Sequence, residues 1–345
     1  MSISSEILRI KQAKEAIKQA IQNKGVSVSD TARLSDYALY IDNMTVGGGD
    51  SGEHTWPDFF DRRTKNITDC MYLFANIIIY EAETECKETI ENFDTSKVLG
   101  FDSVFASFNK QSASATTSTI KELDLTKWNV SKGLSFEETF ASCVLDNLNI
   151  SGWDFSSNAQ TSYLSLFYGS YIKEINMTNC NTSAVKTFYR FAYQSTELVT
   201  INMTGCDTSA ATSLNSMFGS CSKLTTVIGE IDASNVTSGL YSSSGNPFGK
   251  SPLLETLYIK NIYKNVTTMK NESKWSINLG DTKIKDECLV YIINELPDLI
   301  NDKGLTATDK IIFTLPPTNT LTAEQVQVAI DKGWTVANTT YEVSE

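Results

Sequence analysis

Histidine is almost absent: His54 is the single one among 345 residues. Catalysis by a Ser-His-Asp or Cys-His set would have to run through it. It stands in "SGEHTWPDFFDRR" beside a glycine-rich stretch, with no framed nucleophile nearby, so an exposed loop position is the favoured reading. Basic charge is also short. The chain has 29 Lys+Arg against 41 Asp+Glu, a formal net charge of -12, so a phosphate backbone or an anionic bilayer is repelled overall. Neither nucleic-acid binding nor membrane insertion is expected. Long apolar runs are missing too: "MSISSEILRIKQAKEAIKQA" interleaves charge with apolar positions, so neither a secretory signal nor a membrane span is expected, and synthesis in the cytosol is. No G-x-x-x-x-G-K-[ST] loop occurs, and the G-x-G-x-x-G spacing is met within the glycine-rich stretch 47–52, which reads as a linker, so a nucleotide cradle is not indicated.

Cysteine is present but unpatterned for chemistry. Cys70, Cys86, Cys143, Cys180, Cys206, Cys221 and Cys288 form no C-x-x-C pair, and with one histidine in the chain no metal-ligand spacing exists. Several fall at equivalent places of a repeat, so they read as small buried hydrophobes and not as redox or nucleophilic groups. No cofactor and no metal are expected.

What the sequence does have is repetition. "SVFASF", "ETFASC", "SLFYGS", "YRFAYQ", "SMFGSC" and "NPFGKS" recur, and anchoring on phenylalanine gives Phe74, Phe105, Phe140, Phe167, Phe191, Phe218 and Phe248, with gaps of 31, 35, 27, 24, 27 and 30 residues. That is a solenoid period. A second anchor lies 11 to 14 residues upstream, in "FDTS" from Phe93, "WNVS" from Trp128, "WDFS" from Trp153, "CNTS" from Cys180 and "CDTS" from Cys206. Before it sits a short alternating segment, "LDL" at Leu123, "LNI" at Leu148 and "INM" at Ile175 and Ile201, which reads as a strand with one buried face. The Asp/Asn-x-Ser suits a turn and an N-cap, so a short helix is expected after it. Phe101 and Phe105, Phe136 and Phe140, Tyr163 and Phe167, and Leu214 and Phe218 are each four apart, as on one helical face.

Each unit therefore reads as strand, turn, short helix and loop. No such unit buries its own apolar face, so neighbours must stack, with the seven phenylalanines as a structural ladder inside. The stretch "NKQSASATTSTI", Asn109 to Ile120, reads as an insertion that projects from one side. The recurring Asp124, Asp154, Asp207 and Asp232 could in principle supply a carboxylate pair for glycoside cleavage, but their place in a repeated turn favours capping. Asn-x-Ser/Thr triplets such as "NIT", "NVS" and "NMT" read as strand-exit turns.

The units "LDLTKWNVS" and "INMTGCDTSAATSLNSMFGSCSKL" resemble the BspA-like leucine-rich repeats of bacterial and mycoplasma surface proteins, over roughly Asn66 to Ile262. The resemblance implies an α/β solenoid of interaction-scaffold type with no shared catalytic residues. "GNPFGKSPLL" departs from the pattern in lacking Asp-Thr-Ser, and "YRFAYQSTEL" in lacking the Cys.

At the N-terminus Ile7, Ile10, Ala13, Ile17, Ala20 and Ile21 form an apolar stripe at helical spacing that ends at "NKG", Asn23 to Gly25. A second helix is expected from about Asp30 to Asn43. "VGGGDSG", Val46 to Gly52, reads as a linker. The stripe has little of its own chain to cover it, so Ile7, Ile10, Ile17 and Ile21 are the candidate partner-binding or oligomer-binding residues. Only Ile3, Ile10 and Ile17 keep a heptad, so no long coiled-coil shaft is expected. The block "ILRIKQAKEAIKQAIQNKGVSVSDTARLSDYALYIDNM" resembles a segment near the N-termini of tail fibre and other virion proteins of tailed phages, notably those of gut Bacteroidales. This implies a virion-attachment or oligomerisation element.

At the other end "KIKDECLVYIINELPDL" reads as a helix and "KIIFTL" as a strand. In "LTAEQVQVAIDKGWTV", Thr322 is the expected N-cap and Gln325 its capping-box partner, with a stop at Gly333 and a strand "WTV". The sequence thus divides into residues 1–45, an N-terminal helical attachment segment; 46–54, a linker; 55–265, the leucine-rich-repeat-like solenoid; and 266–345, α/β capping repeats. Together with the two resemblances this leads to an expectation of a non-enzymatic virion structural protein, of tail or head fibre type, made in the host bacterial cytoplasm. Its partners would be other virion subunits through residues 1–45, a host-surface glycan or protein through the repeats, and further copies of itself. The alternatives are a bacterial cell-surface adhesin of the BspA type and a glycan-degrading tail protein.

Overall fold

Leu123, Leu148, Ile175, Ile201 and Val227 are aligned side by side in five neighbouring parallel strands, at intervals of 25, 27, 26 and 26 residues. A computed structural model of the chain describes residues 17–19, 22, 67–79, 84–110, 120–157, 165–237, 240, 245–267, 269–270, 272–306 and 308–339. The chain divides into two compact units, Met1–His54 and Thr55–Glu345. In the first, residues 17–19 and Gln22 are helical and Ile17 is exposed. Ile7, Ile10, Ile21, His54, the expected second helix and the glycine linker lie outside the described residues, as does most of the insertion after Asn109.

The second unit is α/β and is built on a parallel sheet. Its strands are β1 (Glu122–Asp124), β2 (Val144–Asn149), β3 (Tyr171–Asn176), β4 (Thr200–Asn202), β5 (Thr226–Asp232) and β6 (Thr256–Lys260), and their order in the sheet is their order in the sequence. The alternation of the sequence sets their faces. In β1 Leu123 is buried between exposed Glu122 and Asp124, and in β4 Ile201 is buried between Thr200 and Asn202. One side of the sheet feeds the core and the other carries polar groups.

The phenylalanine segments are not helical turns, which corrects the expected strand, turn and short helix in each repeat. Ser103 and Ser107, Glu138 and Ser142, Arg190 and Gln194, and Ser216 and Ser220 are pairs four residues apart with φ between +52° and +63°. Left-handed residues at that interval break an α-helix. Instead, alternate N–H groups reach sideways, Phe105 to Thr139 O at 2.8 Å and Ser107 to Ala141 O at 2.8 Å, while those between close tight turns, Ala106 to Ser103 O and Phe108 to Phe105 O at 3.0 Å each. The conformation repeats every four residues, so its apolar spacing imitates a helical face. The backbone donors of such a segment are thus shared between acceptors within the repeat and acceptors in its neighbours.

A true helix, α1 (Thr84–Glu91), lies at the β1 end. It covers the sheet edge: the β1 N–H of Asp124 donates to Glu91 Oε1 at 2.8 Å, and Trp128 Nε1 donates to Ile90 O at 2.8 Å. An otherwise open row of edge donors and acceptors is thereby partly satisfied.

Beyond β6 two helices of 10 and 9 residues enter and the strands shorten to between 2 and 4 residues. A three-stranded parallel sheet, β7 (Ile277–Asn278), β8 (Ile311–Thr314) and β9 (Trp334–Ala337), alternates with helices α2 (Asp286–Glu295) and α3 (Ala323–Asp331). The capping box is present, with Thr322 Oγ1 accepting from Gln325 N at 3.3 Å and Gln325 Oε1 accepting from Thr322 N at 2.8 Å. Lys332, just past α3, donates its ammonium to Ile293 O at 3.1 Å and Asn294 O at 2.7 Å, the electronegative end of α2.

Candidate functional site

The structure brings all seven phenylalanines together. Phe74, Phe105, Phe140, Phe167, Phe191, Phe218 and Phe248 are fully buried, and successive ring centroids are 5.3, 5.2, 5.6, 5.2, 6.3 and 6.5 Å apart. The first three contacts and the last are stacked; Phe167–Phe191 and Phe191–Phe218 are edge to face. Both arrangements satisfy the ring quadrupoles.

The second anchor forms a column of donors. Trp128 Nε1 reaches Ile90 O, Trp153 Nε1 reaches Leu125 O at 2.8 Å, Cys180 Sγ reaches Ile150 O at 3.1 Å and Cys206 Sγ reaches Met177 O at 3.2 Å. Each acceptor stands three residues before the equivalent position of the preceding repeat. This gives tryptophan and cysteine a shared role: both are mainly apolar, and both carry one donor that can meet a buried carbonyl. The neighbouring Cys206 thiol and then burial push the Cys180 thiol up, while Cys180 draws that of Cys206 down. Burial pushes Cys221 up to about 12, and burial followed by the neighbouring Asp69 pushes Cys70 up to about 12. Thiols held protonated in this way are poor nucleophiles.

The recurring carboxylates are engaged in closing turns. Asp94 Oδ1 accepts from Ser96 N at 2.9 Å, Asp154 from Ser156 N at 2.9 Å, Asp207 from Ser209 N at 2.8 Å and Asp232 from Ser234 N at 3.0 Å; Asn129 and Asn181 do the same. Asp124 accepts from Thr126 N at 3.0 Å. These are Asx-turns. Hydrogen bonds from Ser96 and Ser209 hold Asp94 and Asp207 below the usual carboxylate range; burial pushes Asp124 up, but bonds from Thr126 and Asn149 and the nearby Lys87 bring it below that range. Asp94, Asp124 and Asp207 are therefore not poised to carry a proton near neutral pH. Among the described residues no group of three His, Cys, Asp or Glu could hold a metal ion, and no helix is long and apolar enough to cross a membrane.

Two polar surfaces remain. The outward side of the sheet carries an amide row, in which Asn149 Nδ2 donates to Asp124 Oδ2 at 3.3 Å and Asn176 Nδ2 to Asn149 Oδ1 at 3.1 Å, and ion pairs Lys173–Asp146 at 2.6 Å and Lys260–Glu230 at 2.9 Å. The turn segments carry Tyr168, Tyr189, Arg190 and Tyr193, with Tyr168 and Tyr193 stacked at 6.1 Å. Sequence reasoning did not single these out. The one signal was Arg190 itself, the only arginine after Arg63.

Parallel strands in sequence order, a ladder of buried phenylalanines with one rung per unit and Asx-turns at the exits of β1 to β5 define a repeat protein. The family model described as "Mycoplasma protein of unknown function, DUF285" matches residues 58–173 and 161–245, which together span more than half of the chain. The chain belongs to this family. No curated protein and no solved structure matches it.

Proposed function

We propose that this chain is a non-enzymatic virion structural protein of tail or head fibre type. Residues 1–45 attach it to other virion subunits and to further copies of itself, and a repeat solenoid over 55–265, closed by 266–345, presents a surface that binds a host-surface glycan or protein. The observation that carries the binding half is the use of the recurring groups. Asp124, Asp154, Asp207 and Asp232 each close a turn, and Cys180 and Cys206 donate to backbone carbonyls, so the repeated polar side chains hold repeats together and leave variable outer residues to meet a partner. The virion half rests on the likeness of the N-terminal block to phage tail fibre segments.

Mass spectrometry of purified particles is expected to find the chain, and deletion of residues 1–45 is expected to abolish incorporation and lower the oligomeric state. A truncated chain that still enters particles and keeps its oligomeric state would overturn the attachment role. Incubation with host capsular glycan should release no new reducing ends; release would favour the glycan-degrading reading. A second reading, a bacterial cell-surface adhesin, rests on the likeness of the repeats to the BspA-like repeats of surface proteins; the family description names a mycoplasma source and no function. Surface labelling of uninfected cells that carry the gene would establish it.

A further inference from the structure

Ala106, Ala141, Tyr168, Tyr193, Gly219 and Gly249 form one row across successive repeats, each giving its carbonyl oxygen to an N–H of the preceding repeat at 2.8 to 3.1 Å. Only two of the six side chains are large. Tyr193 leans over buried Gly219, where an added Cβ would come within 3.2 Å of its Cδ2, so glycine there makes room for the ring. Tyr168 stacks on Tyr193 with planes 28° apart, and its hydroxyl lies 3.3 Å from Gln194 Oε1. On the other side of Tyr168 the row falls back to Ala141 and Ala106. A two-ring ledge therefore stands between small residues.

Beside it lies Arg190, which is exposed, with its guanidinium 5.0 Å from the Tyr189 ring centroid and 5.4 Å from that of Tyr193. Lys173, Lys223 and Lys260 are each paired with a carboxylate, whereas Arg190 makes no ion pair with any described residue. In a chain of net charge -12, Arg190 is thus an exposed cation held by two rings and, among the described residues, without a counter-ion.

We propose that Tyr168, Tyr193 and Arg190 form a binding site for a carboxylate-bearing sugar residue, of uronic or sialic acid type, in an acidic polysaccharide; this rests on the reading of the repeats as a binding scaffold. The guanidinium offers two parallel N–H donors that match a carboxylate. The ledge offers rigid apolar surface with phenol hydroxyls at its rim, suited to the C–H face and hydroxyl edge of a pyranose, at small entropic cost. One carboxylate attached to one ring is the composition that the site presents in complement. An acidic peptide carries its carboxylates on flexible chains and fits the ledge less well. Glu138 lies in the same row as Arg190, two repeats away, and Asp102 and Glu137 lie in the adjoining row, so negative charge begins roughly 10 Å along the stack and confines the anion to the Arg190 position.

Titration calorimetry on the full chain tests this with oligogalacturonate, sialyllactose and a hyaluronan tetrasaccharide, each beside its carboxyl-reduced or neutral counterpart, and with a glutamate-containing peptide. At least one acidic sugar is expected to bind about tenfold or more tightly than its neutral counterpart, and Arg190→Gln and Tyr168→Ala should each weaken it by about tenfold or more with unchanged melting. Lys223→Gln, on a paired lysine, should leave binding unchanged. The proposal is overturned if no acidic sugar is preferred, if Arg190→Gln binds as the parent does, or if only the peptide binds. Particle incorporation is read separately: sugar binding by a chain that is absent from particles would sink the virion reading and leave this site standing.

Discussion

Cys206 Sγ lies 3.2 Å from the carbonyl oxygen of Met177, the relationship that Trp153 Nε1 has to Leu125 O at 2.8 Å. A thiol and an indole thus fill one structural position, and the donor they share decides what can replace them. Cys206→Ser keeps a donor and is expected to change stability by less than about 1 kcal/mol. Trp153→Phe keeps a ring but removes a hydrogen bond worth about 0.5–1.5 kcal/mol together with ring volume. Urea midpoints of the two variants should rank in that order.

The Asx-turns make a pH prediction. Asp94 and Asp207 are held below the usual range by bonds from Ser96 and Ser209 that favour the ionised form. Their folded values are depressed, so their stabilising contribution is complete above the unfolded carboxylate value of about 3.9 and is lost as pH falls through the lower folded values. Urea unfolding followed from pH 6 downward should show constant stability and then a loss beginning below about pH 4. Asp207→Asn keeps the acceptor and should flatten part of that loss.

Lys303 is nearly fully buried, and its ammonium donates to Tyr263 O at 2.8 Å, Lys264 O at 3.2 Å and Val266 O at 2.7 Å. It ties the chain after β6 to the loop that follows α2. Burial lowers its pKa, with the adjacent Asp302 opposing. Lys303→Met deprives three carbonyls of a charged donor and is expected to cost on the order of 1.5–3 kcal/mol, measured by chemical denaturation.

Thr322→Ala removes one half of the capping box at α3. The expected loss is about 1 kcal/mol, and Thr322→Ser should recover most of it. Amide exchange in residues 323–326 should rise in the alanine variant and not in the serine variant.

Strands and turns were the legible part of the fold. "LDL", "LNI" and "INM" mark β1 to β4 because alternation with one buried side chain needs only local reading, and Asp-x-Ser marks a turn for the same reason. The phenylalanine segments misled because Phe101 and Phe105 repeat every four residues in a conformation whose own period is four, which apolar spacing alone does not separate from a helix. Serines such as Ser103 and Ser107 at positive φ gave no warning, since glycine is the usual marker of that region. Helix α1 escaped because "TECKETIE" has only Cys86 and Ile90 buried. The Tyr168, Tyr193 and Arg190 cluster was invisible for a different reason. Repeats of 24 to 35 residues put these side chains in one place only after the register is known.

The measurement that bears most directly on the central claim, that one aromatic per repeat joins neighbouring repeats, is a double-mutant cycle on Phe105 and Phe140, whose rings lie parallel 5.2 Å apart. Each alanine substitution alone should cost about 3–5 kcal/mol. The pair should show a coupling of about 0.5–1.5 kcal/mol, whereas Phe105 with Phe218 should be additive within about 0.5 kcal/mol. Additivity for Phe105 with Phe140, or coupling of equal size for Phe105 with Phe218, would contradict the account.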